Sequence, residues 1–213
     1  MLVAPSMLAA DFGNMATEVK NIEKWGADIV HADVMDGVYV PNITFGMPMI
    51  KAFRQNSTLP IDAHLMITKP EKYVGKFCDA GADIVTFHPD ASDDVQGALD
   101  IIKSKGKKCG LVVNADVDFD VVKPYLGQID MLVIMTVQAG FGGQSFMPLC
   151  LAKAKLGATE REKHGYKYLI EVDGGVSEKN IALLKEAGVD IAVAGSSVFK
   201  SDNPQKIIES LHI

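Results

Sequence analysis

The feature that most constrains the fold of this chain is a repeated alternation of short apolar runs with amphipathic segments. The runs are rich in β-branched residues, as strands are, and the segments between them have the apolar spacing typical of helices. In chain order, the runs are LVAP from residue 2, DIVHA from 28, PIDAHLM from 60, DIVTF from 83, KCGLVV from 108, DMLVIM from 130, YLIEV from 168 and DIAVAG from 190.

Eight strand-helix units in 213 residues predict an α/β fold. Nearly continuous apolar strands are typical of a parallel sheet that is covered by helices. We therefore predict a single (β/α)8 TIM barrel, with residues 1–213 forming one domain. A doubly wound open sheet is the competing architecture, but the GxGxxG turn expected after its first strand is absent from the sequence.

Charge and composition exclude several classes of partner. The net charge of -6 argues against binding to nucleic acid or to an anionic membrane. No apolar run approaches the about 20 residues that span a bilayer, and the first residues lack the basic segment of a signal peptide. Three cysteines, Cys78, Cys109 and Cys150, lie far apart and outside any CxxC spacing, as expected of buried thiols in a reducing compartment. We expect a cytoplasmic protein.

Polar side chains stand near the ends of three predicted strands, where a hydrophobic pattern would otherwise continue. Active sites of (β/α)8 barrels lie at the carboxyl ends of the strands, and alternate residues of a strand share one face. The residues that share such a face are His31, Asp33 and Met35 on the second strand, Asp62, His64 and Met66 on the third, and Glu171 and Asp173 on the seventh.

Four of these residues predict a metal site above the barrel axis. Taken singly, each histidine is explained by a structural hydrogen bond and each aspartate by a cap or turn. Four such residues at three strand ends favour a shared site instead. Imidazole nitrogens and carboxylate oxygens suit Zn²⁺, Fe²⁺, Mn²⁺ or Co²⁺. The predicted ligands are His31, Asp33, His64 and Asp173.

Glycine pairs follow the sixth, seventh and eighth predicted strands. Glycine lets backbone amides approach an oxyanion closely, and the loops after strands seven and eight are the usual phosphate site of this barrel. The predicted phosphate-binding residues are Gly174, Gly175, Gly195 and Ser196, with Ser197 adding a hydroxyl and Gly142 and Gly143 closing over the same group.

Three methionines lie at or just beyond strand ends, at Met35, Met66 and Met135. Methionine is ordinarily a filler of cores. The alternative is an apolar collar that excludes water from the metal, and the sequence does not decide between the two.

With these elements placed, the sequence resembles the ribulose-phosphate 3-epimerase family over essentially its whole length. Other phosphate-binding barrels share the glycine loops but not the HxDxMDG segment. The motifs that carry the resemblance are PSMLAADF at 5–12, HADVMDGVYVPNITFG at 31–46, DAHLMI at 62–67, MTVQAGFGGQSF at 135–146, IEVDGGV at 170–176 and AGSSVF at 194–199.

The resemblance implies interconversion of D-ribulose 5-phosphate and D-xylulose 5-phosphate, a step of the pentose phosphate pathway. It implies one divalent metal ion per subunit, with Zn²⁺ expected first and Fe²⁺, Mn²⁺ or Co²⁺ as alternatives. Asp33 and Asp173 take the acid and base roles, Ser6 and His64 contact the sugar, and the subunits associate as a dimer or hexamer. In such a reaction two carboxylates flank a planar ene-diolate, because one base cannot reach both faces of C3.

Three other functions compete with this prediction. The first is a 3-epimerase of a hexulose phosphate such as D-allulose 6-phosphate. The second is a metal-independent barrel lyase or synthase for phosphorylated sugars, which should lack the paired histidines. The third is a module that binds a phosphorylated metabolite without turnover.

Overall fold

The computed structural model describes residues 1–213 and contains one sheet of eight parallel strands. Neighbouring strands follow one another in chain order, and the first strand also pairs with the eighth. A parallel bridge joins Ser6, directly after the first strand, to His31, the second residue of the second strand, and so closes the sheet into a barrel. The strands are β1 Leu2–Pro5, β2 Val30–Met35, β3 Ile61–Met66, β4 Ile84–Phe87, β5 Lys108–Val113, β6 Met131–Met135, β7 Leu169–Asp173 and β8 Ile191–Ala194.

Helices follow the strands and cover the outside of the barrel, so the predicted (β/α)8 fold is confirmed. The connection from β5 to β6 differs, because it holds two 3-10 helices, Phe119–Val121 and Lys123–Gln128, in place of an α-helix. Pro124 and Gly127 lie in this segment and disfavour a regular helix. The α-helices are α1 Met15–Lys24, α2 Met47–Asn56, α3 Val74–Ala80, α4 Val95–Ser104, α5 Leu151–His164, α6 Ile181–Glu186, α7 Ser196–Phe199 and α8 Pro204–Leu211. None of them combines the length and apolarity that a bilayer span requires.

Alternation along each strand separates two layers of core. On β6, Leu132 and Ile134 belong to a cluster of 50 buried residues that also includes the inward faces of the helices. Met131, Val133 and Met135 belong to a separate cluster of 10 residues inside the barrel. The inner faces of β2, β3 and β7 are polar instead, so the barrel interior is apolar on one side and ionisable on the other.

The amino-terminal end of the barrel is held by a repeated aspartate. Several helices end in glycine, and an Asp then precedes the next strand, as in GADIV. Each of these carboxylates accepts a hydrogen bond from a backbone N–H of the preceding strand, which would otherwise lack a partner at the sheet end. The pairs are Asp28 with Val3, Asp83 with Ile61, Asp130 with Cys109, and Asp190 with Ile170, at 2.8, 3.1, 2.9 and 2.8 Å.

Candidate active site

Four buried side chains from β2, β3 and β7 meet at the carboxyl end of the barrel. His31 and His64 are fully buried, and Asp33 and Asp173 are only 4% and 8% exposed. One ligand atom from each lies within 4.8 Å of every other. His31 Nε2 and His64 Nδ1 lie between 3.4 and 3.7 Å from Asp33 Oδ1 and Asp173 Oδ2. The structure thus brings together all four predicted ligands.

The spacing of these atoms fits a metal ion better than a hydrogen-bond network. Distances of 3.4 to 3.7 Å are too long for good hydrogen bonds. His31 Nε2 and His64 Nδ1 have no hydrogen-bond partner although both rings are fully buried, which is costly for a polar atom. Atoms about 2.1 Å from one zinc ion at tetrahedral angles lie about 3.4 Å apart. Two nitrogens and two oxygens could therefore hold one divalent cation.

Burial and mutual charge shift the pKa values of this cluster in opposite directions. Burial would raise the pKa of the Asp33 carboxyl, but the His31 and His64 rings hold it well below its usual range. Burial and Asp33 raise the pKa of Asp173, and the same two rings outweigh them and lower it. Burial lowers the pKa of His31, yet Asp33, Asp173 and Asp62 together raise it well above its usual value. The site therefore favours positive charge between two ionised carboxylates.

Each ring of the cluster has a further buried group behind it. His31 Nδ1 lies 2.8 Å from Asp62 Oδ2 and 3.5 Å from Glu171 Oε1. Burial and the Asp62 carboxylate raise the pKa of Glu171 well above its usual value. His64 Nε2 lies 3.0 Å from His88 Nε2. Asp62 and Glu171 share strand faces with the predicted ligands His64 and Asp173. His88 was missed, and its only signal in the sequence is its position directly after β4.

Ser6 and Asp36, two polar residues of the quoted motifs, have different surroundings. Ser6 Oγ donates a 2.5 Å hydrogen bond to Asp33 Oδ2 and lines the cavity above the cluster. Asp36 follows β2 but points away from the cluster, because its carboxylate accepts from three backbone N–H groups, those of Val38, Tyr39 and Thr68, at 2.8 to 2.9 Å. Asp36 therefore shapes a loop.

The predicted phosphate-binding residues line one cavity with Asp33 and Asp173. They are Gly142, Gly143, Gly174, Gly175, Gly195 and Ser196. Gly175 has φ of +67°, and a Cβ atom there would lie 2.6 Å from Phe146 N. Ser197 does not share this position, because its hydroxyl donates to Val176 O at 2.8 Å and it is not among the lining residues. Ser197 therefore lies outside the cavity that the other predicted phosphate-binding residues line.

Three hydrogen bonds hold the loop after β6 over the cavity. Asn42 Nδ2 donates to Gly140 O at 2.9 Å, which ties the β2 loop to the β6 loop. Gln144 Nε2 donates to Gln138 O at 2.6 Å and to Phe141 O at 2.8 Å. The loop that carries Gly142 and Gly143 is therefore held in a fixed shape.

The three methionines border the same cavity. Met35 and Met66 are paired in register on β2 and β3 and form a small cluster with Val40. Met135 ends β6 and belongs to the interior core. All three are at most 3% exposed and line the cavity, so they act as core residues and as its apolar wall.

Comparison with known proteins gives the same family as the motifs. The profile of the "Ribulose-phosphate 3 epimerase family" matches residues 2–199. The chain is 42% identical over 210 residues to a ribulose-phosphate 3-epimerase of Bacillus subtilis, covering 98% of this chain and 97% of that protein. It is 41% identical over 211 residues to one of Escherichia coli, covering 99% and 94%.

Solved structures with lower identity share the fold. A 3-hexulose-6-phosphate synthase of Salmonella typhimurium superposes with a TM-score of 0.74 at 18% identity, covering 99% of this chain and 96% of that one. A 3-keto-L-gulonate-6-phosphate decarboxylase of Vibrio cholerae gives 0.75 at 13% identity, covering 99% and 94%. These likenesses show the barrel alone, whereas the profile match and the near-full-length relatives show that the chain belongs to the ribulose-phosphate 3-epimerase family.

Proposed function

We propose that this protein interconverts D-ribulose 5-phosphate and D-xylulose 5-phosphate by removing the C3 proton and returning one to the opposite face. The observation that carries the proposal is the placement of Asp33 and Asp173. They stand on β2 and β7 and line the same cavity, and two imidazole nitrogens without hydrogen-bond partners lie within 3.7 Å of both carboxylates. The family's name agrees with this chemistry.

Asp33 and Asp173 serve as the two proton carriers. The base must begin ionised and the opposite carboxyl must begin protonated, and the roles reverse when the reaction runs backward. The histidine rings lower the pKa of each carboxyl, which favours the ionised form that the base needs, and the carboxyl on the opposite face must hold its proton against this effect. Ser6 holds Asp33 through its hydroxyl, which fixes one carboxylate oxygen and leaves the other facing the cluster. We propose that Ser6, which lines the cavity, and His64 also contact the sugar.

We propose His31, Asp33, His64 and Asp173 as ligands of one divalent cation, with Zn²⁺ first and Fe²⁺, Mn²⁺ or Co²⁺ as alternatives. When bound, the cation acts as a Lewis acid on the negative charge that develops beside the ketone. The residues around it keep the two carboxylates fixed and buried.

The glycine loops hold the phosphate and so orient the sugar. Backbone amides of Gly142, Gly143, Gly174, Gly175 and Gly195, with Ser196, form the proposed subsite. Met35, Met66 and Met135 exclude water from the reacting carbon. Binding energy from the phosphate thereby keeps C3 between the carboxylates.

We also propose that residues 1–213 form one catalytic unit, and that this unit self-associates as a dimer or hexamer. Val38 and Ile43 lie in one loop and are 76% and 77% exposed, an unusual position for apolar side chains beside a site. Light scattering of the purified protein tests the association.

Three free buried cysteines support a cytoplasmic location.

The experiment that tests the function compares two sugars in D₂O. With ribulose 5-phosphate, we expect xylulose 5-phosphate carrying deuterium at C3. D-Allulose 6-phosphate, assayed in parallel, should turn over far more slowly. Binding without hydrogen exchange would leave only a metabolite-binding module, and faster turnover of the hexulose would reassign the substrate.

A further inference from the structure

His88 is a buried residue next to the proposed metal site that the chemistry above does not use. It follows β4, is fully buried, and its Nε2 lies 3.0 Å from Nε2 of His64. The ring centroids are 5.1 Å apart, and the planes differ by 26°. The distance between the ring centroids exceeds the distance between the two Nε2 atoms by about the width of one ring, as expected when the rings meet edge to edge. The N–H therefore lies near the plane of both rings, as in a well-formed hydrogen bond.

The direction of this hydrogen bond follows from the lone pair that His64 Nδ1 must offer to the proposed cation. His64 Nδ1 faces Asp33 Oδ1 and Asp173 Oδ2 at 3.5 and 3.4 Å. A neutral imidazole has one N–H and one lone pair. If Nδ1 offers its lone pair to a cation, the proton is on Nε2, and His88 Nε2 must accept it.

His88 itself is suited to be a neutral acceptor. The buried carboxylates pair with His31 and His64 instead, and His88 Nδ1 has no hydrogen-bond partner. A charged imidazolium in such surroundings would be costly. On its other side, the ring of Tyr39 packs against it with centroids 5.0 Å apart.

Tyr39 is in turn held in place by its hydroxyl. Tyr39 Oη donates to Asp90 Oδ2 at 3.0 Å and accepts from Asn114 Nδ2 at 2.6 Å. His88 is therefore fixed between an anchored aromatic ring and the histidine that it contacts. The other histidine of the cluster differs, since Asp62 rather than an imidazole lies behind His31.

We propose that His88 is a positioning residue that keeps the proton of His64 on Nε2, so that the Nδ1 lone pair faces Asp33 and Asp173. This inference rests on the proposed metal site and extends it. Groups that hold the far nitrogen of a ligand histidine commonly contribute about 10-fold to 100-fold to metal affinity.

Nitrogen-15 NMR of the Zn²⁺-loaded protein tests the proposal directly. The chain has only 5 histidines, which keeps the spectrum simple. We expect the proton of His64 on Nε2 and that of His88 on Nδ1. A proton on Nδ1 of His64, or on Nε2 of His88, would overturn the proposal.

Competition with a chromophoric zinc chelator gives a second, independent readout. His88→Phe keeps an aromatic ring but removes the acceptor, and its Zn²⁺ affinity should fall by about 10-fold or more. His88→Gln keeps an acceptor oxygen and should recover part of the loss. His164→Phe, the matched control, makes the same exchange at an exposed position on α5 and should bind zinc like the unmodified protein. The Tm of each metal-free variant reports folding separately.

The outcomes separate this inference from the proposed function. Equal zinc affinity in His88→Phe and the unmodified protein would refute the proposed role of His88 but leave the proposed metal site standing. Failure of the unmodified protein to bind any divalent cation would refute the metal site as well. If His88→Phe does not fold, the NMR spectrum and the His88→Gln variant still decide.

Discussion

Ser6 and Asp33 are joined by a 2.5 Å hydrogen bond in which the serine hydroxyl donates to carboxylate Oδ2. Ser6→Ala should leave that buried oxygen without this partner and let the side chain of Asp33 rotate. Hydrogen bonds to charged groups contribute about 1.5–3 kcal/mol, so kcat/KM should fall by about 10-fold to 100-fold. Steady-state kinetics with ribulose 5-phosphate measure the change.

Ser210→Ala provides the control for loss of a serine hydroxyl. Ser210 Oγ donates to Ile207 O on α8, away from the cavity. Its removal should leave kcat/KM unchanged. Equal activity of Ser6→Ala and Ser210→Ala would show that Asp33 does not depend on Ser6.

Asp33→Asn and Asp173→Asn should each abolish epimerisation, because each variant lacks one of the two proton carriers. General acid-base groups contribute about 10²-fold to 10⁴-fold to rates. The more informative measurement is exchange of the C3 hydrogen in D₂O. Each variant keeps one carboxylate and should exchange the hydrogen of only one epimer, and the two variants should act on opposite epimers.

The same measurement can contradict the assignment. If both variants exchange the same epimer, Asp33 and Asp173 do not lie on opposite faces of the substrate. Circular dichroism should show an intact barrel in both cases.

Removal of divalent metal should inactivate the protein and lower its thermal stability. A ligand that binds only the folded state stabilises it by about 2.7 kcal/mol at a free concentration 100 times its Kd. Dialysis against a chelator should therefore lower Tm, and added Zn²⁺, Fe²⁺, Mn²⁺ or Co²⁺ should restore both Tm and turnover. Full activity in protein shown by elemental analysis to be metal-free would contradict the proposed site.

The end of the barrel that carries the proposed site was largely predictable, because strand periodicity fixes which side chains share a face. His31 and Asp33 alternate on β2, and the same rule places His64 and Asp173, so their convergence requires only that the barrel closes. The glycines after β7 and β8 were predictable because their loops always lie at that end. The distances between the side-chain atoms of the four predicted ligands could not be predicted, since they depend on strand register and tilt.

What the sequence missed depends on contacts between distant segments. His88 directly follows β4, no acidic residue shares its face of that strand, and its proposed role depends on the approach of His64. Asp36 and Ser197 have the residue types of a site, but their hydrogen bonds go to backbone groups of nearby loops. The role of the repeated Asp before alternate strands could not be predicted from the sequence, because its hydrogen-bond partners lie 20 or more residues away.

Gly175→Ala should weaken substrate binding. Gly175 has φ of +67°, where an L-residue is strained, and a Cβ would lie 2.6 Å from Phe146 N. The β7 loop must therefore shift, and KM for the sugar phosphate should rise more than kcat falls. Inhibition by inorganic phosphate should weaken in parallel.

Gly165→Ala is the matched control for this backbone strain. Gly165 has φ of +68° at the end of α5, and no atom lies within 4 Å of the added Cβ. It should lose stability but keep its KM. A KM for Gly175→Ala equal to that of Gly165→Ala would exclude Gly175 from the phosphate subsite.

Asp130→Ala should destabilise the protein without reducing its activity, because Asp130 lies at the opposite end of the barrel. Its carboxylate accepts from Cys109 N at 2.9 Å, and Cys109 is fully buried. A buried N–H without a partner costs about 1–3 kcal/mol, so the urea midpoint should fall while kcat/KM is retained. Asp130→Asn keeps an acceptor oxygen and should recover part of the loss, and Asp202→Ala, at an exposed position, should change neither quantity. A normal urea midpoint for Asp130→Ala would mean that the repeated aspartates do not hold the strands at this end.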